Sequence, residues 1–368
     1  MSNLKVCHLT PTFFSEESVI GGGERYVNNL IQAVKISNLT SSQKIDQSII
    51  SISDKAKSFV SDDVTVHLLE SVSRIGGNMN YIPFKLWEFL GEFDVIHLHQ
   101  GLTQFGEFCA AVTASLNIPF VVTDLGGGSS NLMLYGRGLE LANRVIAISE
   151  YANTITKSCF SGKVDIVIGP IDTNFFVPSN NRISKKKYGI CVSRILPHKG
   201  IDRIISALPE QLELKVVGKI FDYDYFELLK DLAKGKKIEF ITNASDELLL
   251  SLYQEASIFL QGSTHKDIYG NIIYKPELMG LTTLEAMSCG LPVVVSDAGS
   301  LPEMVPNNRV GRVFRDHYEL LSVFDDYMNE KWPSNTVHIE ARNFVVDNYS
   351  FLKVGELLSR IYCEVAQE

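Results

Sequence analysis

Two glutamates and a glycine-led helix start hold the densest chemistry in this sequence. Glu277 and Glu285 are separated by seven residues, and Gly280-Leu281-Thr282-Thr283 between them has the pattern of a loop entering a helix. N–H groups in a first helical turn have no partner within the helix and favour an anion such as phosphate. Gly280 lets the backbone approach a ligand closely. Glu285 then lies on the helix and Glu277 on the loop before it, so that each can accept hydrogen bonds from one of two sugar rings in a single ligand. A glycosidase-like acid/base pair competes with this reading. It is the weaker of the two, because spacing does not set the carboxyl separation and a Gly-containing helix entry suits phosphate better. On residue type alone both glutamates would be surface charges; the surrounding string argues otherwise.

Other segments offer less. Gly21-Gly22-Gly23 precede an expected helix, and Gly22 and Gly23 can present N–H groups to an anion or form a flexible βα turn. The run lacks G-x-G-x-x-G, which counts against a dinucleotide oxidoreductase. His97 and His99 are two apart and share a face if one strand runs through both. They suit either satisfied structural roles or contact with an acceptor. Two histidines without Cys or carboxylate ligands nearby do not make a zinc site. Asp124, in Thr123-Asp124-Leu125-Gly126, can accept from a sugar hydroxyl or cap its loop, and Gly126 permits close backbone approach.

Positioning these residues takes a substantial scaffold. The chain has 368 residues, 45% hydrophobic and 21% charged, enough for about two globular domains. With 34 basic against 43 acidic residues it carries a formal charge of -9 and no basic block, which excludes the usual electrostatic footprint of a nucleic-acid binder. No segment approaches the roughly 18 apolar residues of a membrane span. The N-terminus enters an apolar strand without signal-peptide anatomy, and six cysteines are scattered without C-x-x-C. A cytoplasmic protein, at most peripheral at the inner face of a membrane, is expected.

Short apolar runs alternate with amphipathic stretches. Strands are expected at Lys5–Leu9, Ser48–Ser53, Val64–Leu68, Val95–Leu98, Phe120–Thr123, Arg144–Ile148 and Asp165–Ile168, with helices such as Glu24–Val34 and Phe105–Leu116 between them. The pattern restarts at Tyr188–Val192 and continues through Glu213–Val217, Lys237–Phe240, Ser257–Leu260, Pro292–Ser296 and Val310–Phe314. Buried strands alternating with helices mean parallel sheets covered on both faces. Two αβ halves would meet near the polar stretch Pro178–Lys187, with ligand at the carboxyl ends of the strands.

The string from Glu277 to Glu285 resembles the donor-binding motif of the retaining glycosyltransferases of family 4. Val192–Asp202 is similar to that family's strand–loop element with an Arg and a Lys, and Ser245–Ser263 to its helix–strand unit. Gly21–Arg25 and Asp94–His99 are similar to its first-domain segments. The resemblance covers most of the chain. It departs at Thr123–Ser129, where the family commonly has a histidine, and at Gly169-Pro170-Ile171-Asp172.

The resemblance implies an α/β GT-B fold, two Rossmann-like doubly wound domains facing a central cleft. Its domains would be an acceptor-side domain over 1–177, a linker over 178–187, a donor domain over 188–349 and a C-terminal helix over 350–368 crossing back. It implies that Glu285 binds the ribose and Glu277 the donor hexose. Arg194 and Lys199, with amides around Gly280, Leu281 and Thr282, would hold the leaving diphosphate, a forked guanidinium and a compact ammonium suiting that task. Gly22 and Gly23 would face the donor, and His97, His99, Asp124 and Gly126 the acceptor or sugar. Transfer would retain configuration, by front-face attack with Arg194, Lys199 and Glu277 assisting and with no metal or other cofactor. UDP-glucose is the first donor expectation, with UDP-galactose, UDP-N-acetylglucosamine and GDP-mannose open. A saccharide or lipid-linked saccharide of a surface glycan or exopolysaccharide is the expected acceptor. The alternatives are a sugar-phosphate hydrolase or phosphorylase, and a non-catalytic nucleotide-sugar binding protein.

Overall fold

Apolar runs buried on both faces become the central strands, as parallel sheets require. The computed structural model describes residues 3–11, 22–74, 81–126, 138–179 and 188–368. The chain divides into two units, Met1–Pro170 with Phe351–Glu368, and Ile171–Ser350.

The first unit has strands β1 (Leu4–Leu9), β2 (Ile45–Ser53), β3 (Lys57–Ser61), β4 (Val64–Arg74), β5 (Tyr81–Pro83), β6 (Val95–His99), β7 (Phe120–Thr123), β8 (Arg144–Ala147) and β9 (Lys163–Ile166). Their order is β3-β4-β2-β1-β6-β7-β8-β9, with β5 on β4. All pairings are parallel except those of β3 and β5 with β4. Helices α1 (Gly22–Asn38) and α2 (Gln104–Ser115) follow β1 and β6. Leu9, Ile50, Leu98, Phe105 and Phe120 belong to one core between sheet and helices.

The second unit has β10 (Tyr188–Val192), β11 (Glu213–Val217), β12 (Ile238–Ile241), β13 (Ile258–Gln261), β14 (Val293–Ser296) and β15 (Gly311–Phe314). They form an all-parallel sheet in the order β12-β11-β10-β13-β14-β15. Its longer helices are α3 (Ile201–Ala207), α4 (Tyr223–Leu232), α5 (Asp246–Glu255), α6 (Leu281–Ser288), α7 (His317–Met328) and α8 (Val337–Tyr349). Strand order reverses between β1 and β6 in one unit and between β10 and β13 in the other, the switch points where open α/β sheets bind ligands.

The last helix, α9 (Phe351–Val365), belongs to the first unit and packs on α1. The backbones approach closely: a Cβ on Gly355 would stand 2.0 Å from the Ala33 carbonyl oxygen. Arg144 anchors the helix's far end through Glu364 at 2.7 Å and through Glu368. No helix among the described residues is long and apolar enough to cross a membrane.

The division between units falls at Pro170, not after residue 177 as expected. Residues 171–177 are tied into the second unit. Ile171 N–H bonds Tyr349 O at 2.8 Å, Ser288 Oγ bonds Phe176 O at 2.6 Å, and Gln254 Nε2 bonds Val177 O at 2.9 Å. Most of the expected linker, 180–187, lies outside the described residues. Helix α1 starts at Gly22, so Gly22 and Gly23 are first-turn residues rather than a loop before it; Gly21 lies outside the described residues.

Candidate functional site

The second unit builds its site at the β10/β13 switch point. After β10 the chain turns through Pro197–Lys199 to Gly200, whose φ of +60° suits glycine. A Cβ there would lie 2.0 Å from the Gly262 carbonyl oxygen, so only a bare backbone lets the β10 and β13 loops meet. That approach brings Lys199 to Glu277: Nζ donates to Glu277 Oε2 at 2.9 Å and to Pro276 O at 3.2 Å. Lys199 is buried, and Glu277 is half-buried.

Burial alone would raise the Glu277 carboxyl. The charge and hydrogen bond of Lys199, the Gly280 N–H and nearby His198 outweigh it and hold the group below its ordinary value. His198 is pushed down to about 4 by burial, then by the charges of Lys199 and Arg194. Arg194 thus stands close enough to act on the same imidazole, exposed and with its guanidinium 5.4 Å from the Phe221 ring centre.

Gly280, with φ +71°, starts α6 without a side-chain cap. Its carbonyl accepts from Thr283 N–H and Leu284 N–H. The Leu281 and Thr282 N–H groups precede the helical ladder, as first-turn groups must. Glu285 follows one turn later, where the Tyr253 hydroxyl donates to its Oε2 at 3.1 Å. The structure therefore joins Lys199, Glu277 and the α6 start, sets Arg194 beside them and puts Glu285 on α6. Positive charge, carboxylates and free amides together can hold a diphosphate and sugar hydroxyls. His198, Tyr253 and Gln261 were missed. An isolated Tyr or Gln in an apolar run carries no signal beyond core packing.

The first unit treats its polar residues differently. Strand β6 does run through His97 and His99, but their shared face is sealed, and both are fully buried. His97 Nδ1 pairs with the Tyr362 hydroxyl at 2.7 Å and Nε2 with Thr123 Oγ1 at 2.8 Å. His8, in register with His97, bonds Gln47 Oε1 through Nε2 and His99 Nε2 through Nδ1, each at 3.0 Å. Gln47 Nε2 donates to Ile31 O, so Oε1 accepts from His8 Nε2–H, and His8 Nδ1 then accepts from His99 Nε2–H. His99 Nδ1 has no hydrogen-bond partner among the described residues.

The expected acceptor contacts of His97 and His99 are thus replaced by a structural stack beneath α1 and α9. A nitrogen from each of His8, His97 and His99 lies within 4.8 Å of the others, yet a metal there would have to break these bonds, and no carboxylate among the described residues joins the three. Asp124 caps its loop, accepting from Gly126 N–H at 3.0 Å and Leu102 N–H at 3.4 Å, and Gly126 takes φ +76°.

Comparison with known proteins points the same way as this geometry. Residues 172–331 match the family described as glycosyl transferases group 1. An uncharacterized glycosyltransferase of Methanocaldococcus jannaschii is 32% identical over 75% of this chain and 76% of its own. A GDP-mannose-dependent alpha-(1-6)-phosphatidylinositol monomannoside mannosyltransferase of Mycolicibacterium smegmatis is 25% identical over 60% of this chain, which spans only 62% of that protein's length. The structure of Anabaena HepE in complex with UDP superposes with a TM-score of 0.73 over 98% of this chain and 100% of that one, at 18% identity. This chain belongs to the group 1 glycosyl transferases and has the two Rossmann-like units of the GT-B fold.

Proposed function

We propose that the protein is a retaining glycosyltransferase that moves a hexose from a nucleotide-sugar to a hydroxyl of a saccharide or lipid-linked saccharide. The observation that carries this reading is the Lys199–Glu277 pair, 2.9 Å apart at the start of α6. A diphosphate laid on the Leu281 and Thr282 amides draws on Lys199 and Arg194, and the hexose places a hydroxyl on Glu277. Glu285, held by Tyr253, accepts from the ribose.

As the glycosidic bond breaks, negative charge grows on the diphosphate, and the two cations with the helix start stabilise it. The acceptor hydroxyl attacks from the same face and gives its proton to the departing phosphate. Configuration is retained without a protein nucleophile, and the cations supply the charge a metal would otherwise bring. UDP-glucose is the first donor to test, supported by the UDP bound to the Anabaena relative. GDP-mannose comes second, supported by the mycobacterial one.

Calorimetric titration with UDP, GDP and ADP and their hexose conjugates, in EDTA, tests the reading. One nucleotide-sugar binding selectively is expected; binding of none of them would overturn it.

A further inference from the structure

Behind Glu277 lies a polar pair that donor binding leaves unexplained. Gln261 ends β13 and is 2% exposed; Thr283, in the first turn of α6, is fully buried. Strand alternation turns Leu260 into the core that holds Ile204 and Leu214, and Gln261 onto the opposite face. An amide buried so deeply is costly unless both its ends are used, and here both are. The Thr283 hydroxyl donates to Gln261 Oε1 at 2.6 Å, and Gln261 Nε2 donates to Glu277 Oε2 at 2.7 Å.

The direction of this chain is forced. An ionised carboxylate only accepts, so the amide nitrogen faces Glu277, the amide oxygen faces Thr283, and the threonine is the donor. Lys199 Nζ reaches the same Oε2 from the loop after β10. With the Gly280 N–H as a third donor, Lys199 and Gln261 hold the carboxylate in one orientation where a single bond would leave it free to swivel. A carboxylate has about four lone-pair sites, so beside these three donors one site remains for a ligand hydroxyl.

We propose that Thr283 and Gln261 are positioning residues, a two-bond relay that aims the Glu277 carboxylate at a hydroxyl of the bound hexose. The inference rests on the donor reading of Glu277. It adds that donor-sugar recognition is set from inside the core, by residues acting through Glu277.

Calorimetry on the full chain tests it, with UDP-glucose against UDP and GDP-mannose against GDP. Thr283→Val keeps the shape and removes the hydroxyl; Gln261→Leu removes the donor. Each is expected to weaken the hexose conjugate about tenfold, the scale of losing one hydrogen bond to a charged group, with the free diphosphate changing less than about twofold. The double variant should be no weaker than Gln261→Leu alone, because both cut one chain. Thr283→Ser, which keeps the hydroxyl, should bind like wild type. If Gln261→Leu does not fold, the near-isosteric Thr283→Val carries the test.

Wild-type binding by Thr283→Val and Gln261→Leu alongside an impaired Glu277→Gln would overturn the relay and leave the donor reading standing. Equal losses for diphosphate and conjugate would overturn it as general damage. Normal binding by Glu277→Gln, or no nucleotide-sugar bound by the wild type, would overturn the donor reading and the relay with it.

Discussion

Each unit carries a polar cluster where its sheet reverses strand order, and the two clusters have opposite characters. Between β1 and β6, His8, His97 and His99 stack with ring centres 4.0 to 5.4 Å apart, and five of their six ring nitrogens are hydrogen-bonded within the chain. Burial keeps all three neutral. Between β10 and β13, Lys199 and Glu277 are charged, and the amides of the α6 start are left outside the ladder. A switch point thus offers a place for a ligand but does not make a site. The site needs groups with bonding capacity to spare, and Gln47, Thr123, Tyr362 and the histidines themselves take up nearly all of that capacity here.

The strongest way to break this contrast is Lys199→Ala. Turnover is expected to fall by about a hundredfold or more, the scale of losing a charge-stabilising group in a transition state. Wild-type turnover would place this pair with the histidines as structure only.

Acid titration probes the other cluster. His8 is lowered to about 4 by burial, and His97 and His99 are lowered well below the ordinary value of 6.5. The unfolded chain therefore binds more protons once the pH falls below about 6.5. The contribution of these residues is complete above that value and is lost as the pH falls below it, for His8 down to about pH 4, at up to about 1.4 kcal/mol per pH unit for each histidine. Urea midpoints that stay level from pH 7 to pH 5 would contradict the sealed stack. His198, also lowered to about 4, acts with the same sign in the second unit.

A smaller effect is expected from His97→Phe, which strips partners from buried Tyr362 and Thr123. Stability should drop by about 1–3 kcal/mol, read by urea denaturation, while nucleotide affinity in the second unit stays as it was. A loss of nucleotide binding instead would tie the two clusters together. The mildest change is Tyr253→Phe. It removes one hydrogen bond to Glu285 and should weaken nucleoside diphosphate binding about threefold. An unchanged affinity would detach Glu285 from the ribose.

Much of the fold was legible because local pattern carries it. The apolar runs of the parallel core and the glycine before α6 are features of neighbouring residues. The antiparallel edge was not. Strand β3 is mostly exposed and lacks a buried face, and its hairpin turns on Asp62 and Asp63, both at positive φ, where the sequence shows no Asn-Gly or Asp-Gly. Helices α7 and α8 were also passed over, as was the boundary at Pro170, which depends on Arg342 reaching Thr173 O and Phe176 O from 169 and 166 residues away.

By itself, then, the sequence determined two alternating α/β halves and singled out the string from Glu277 to Glu285, because periodicity and spacing act over a few residues. Tertiary structure decided which polar groups are consumed and which are left for a ligand. His97 meets Tyr362 across 265 residues, and Lys199 meets Glu277 across 78. A hydrogen bond forms only between groups about 3 Å apart, and only folding decides which distant residues come that close.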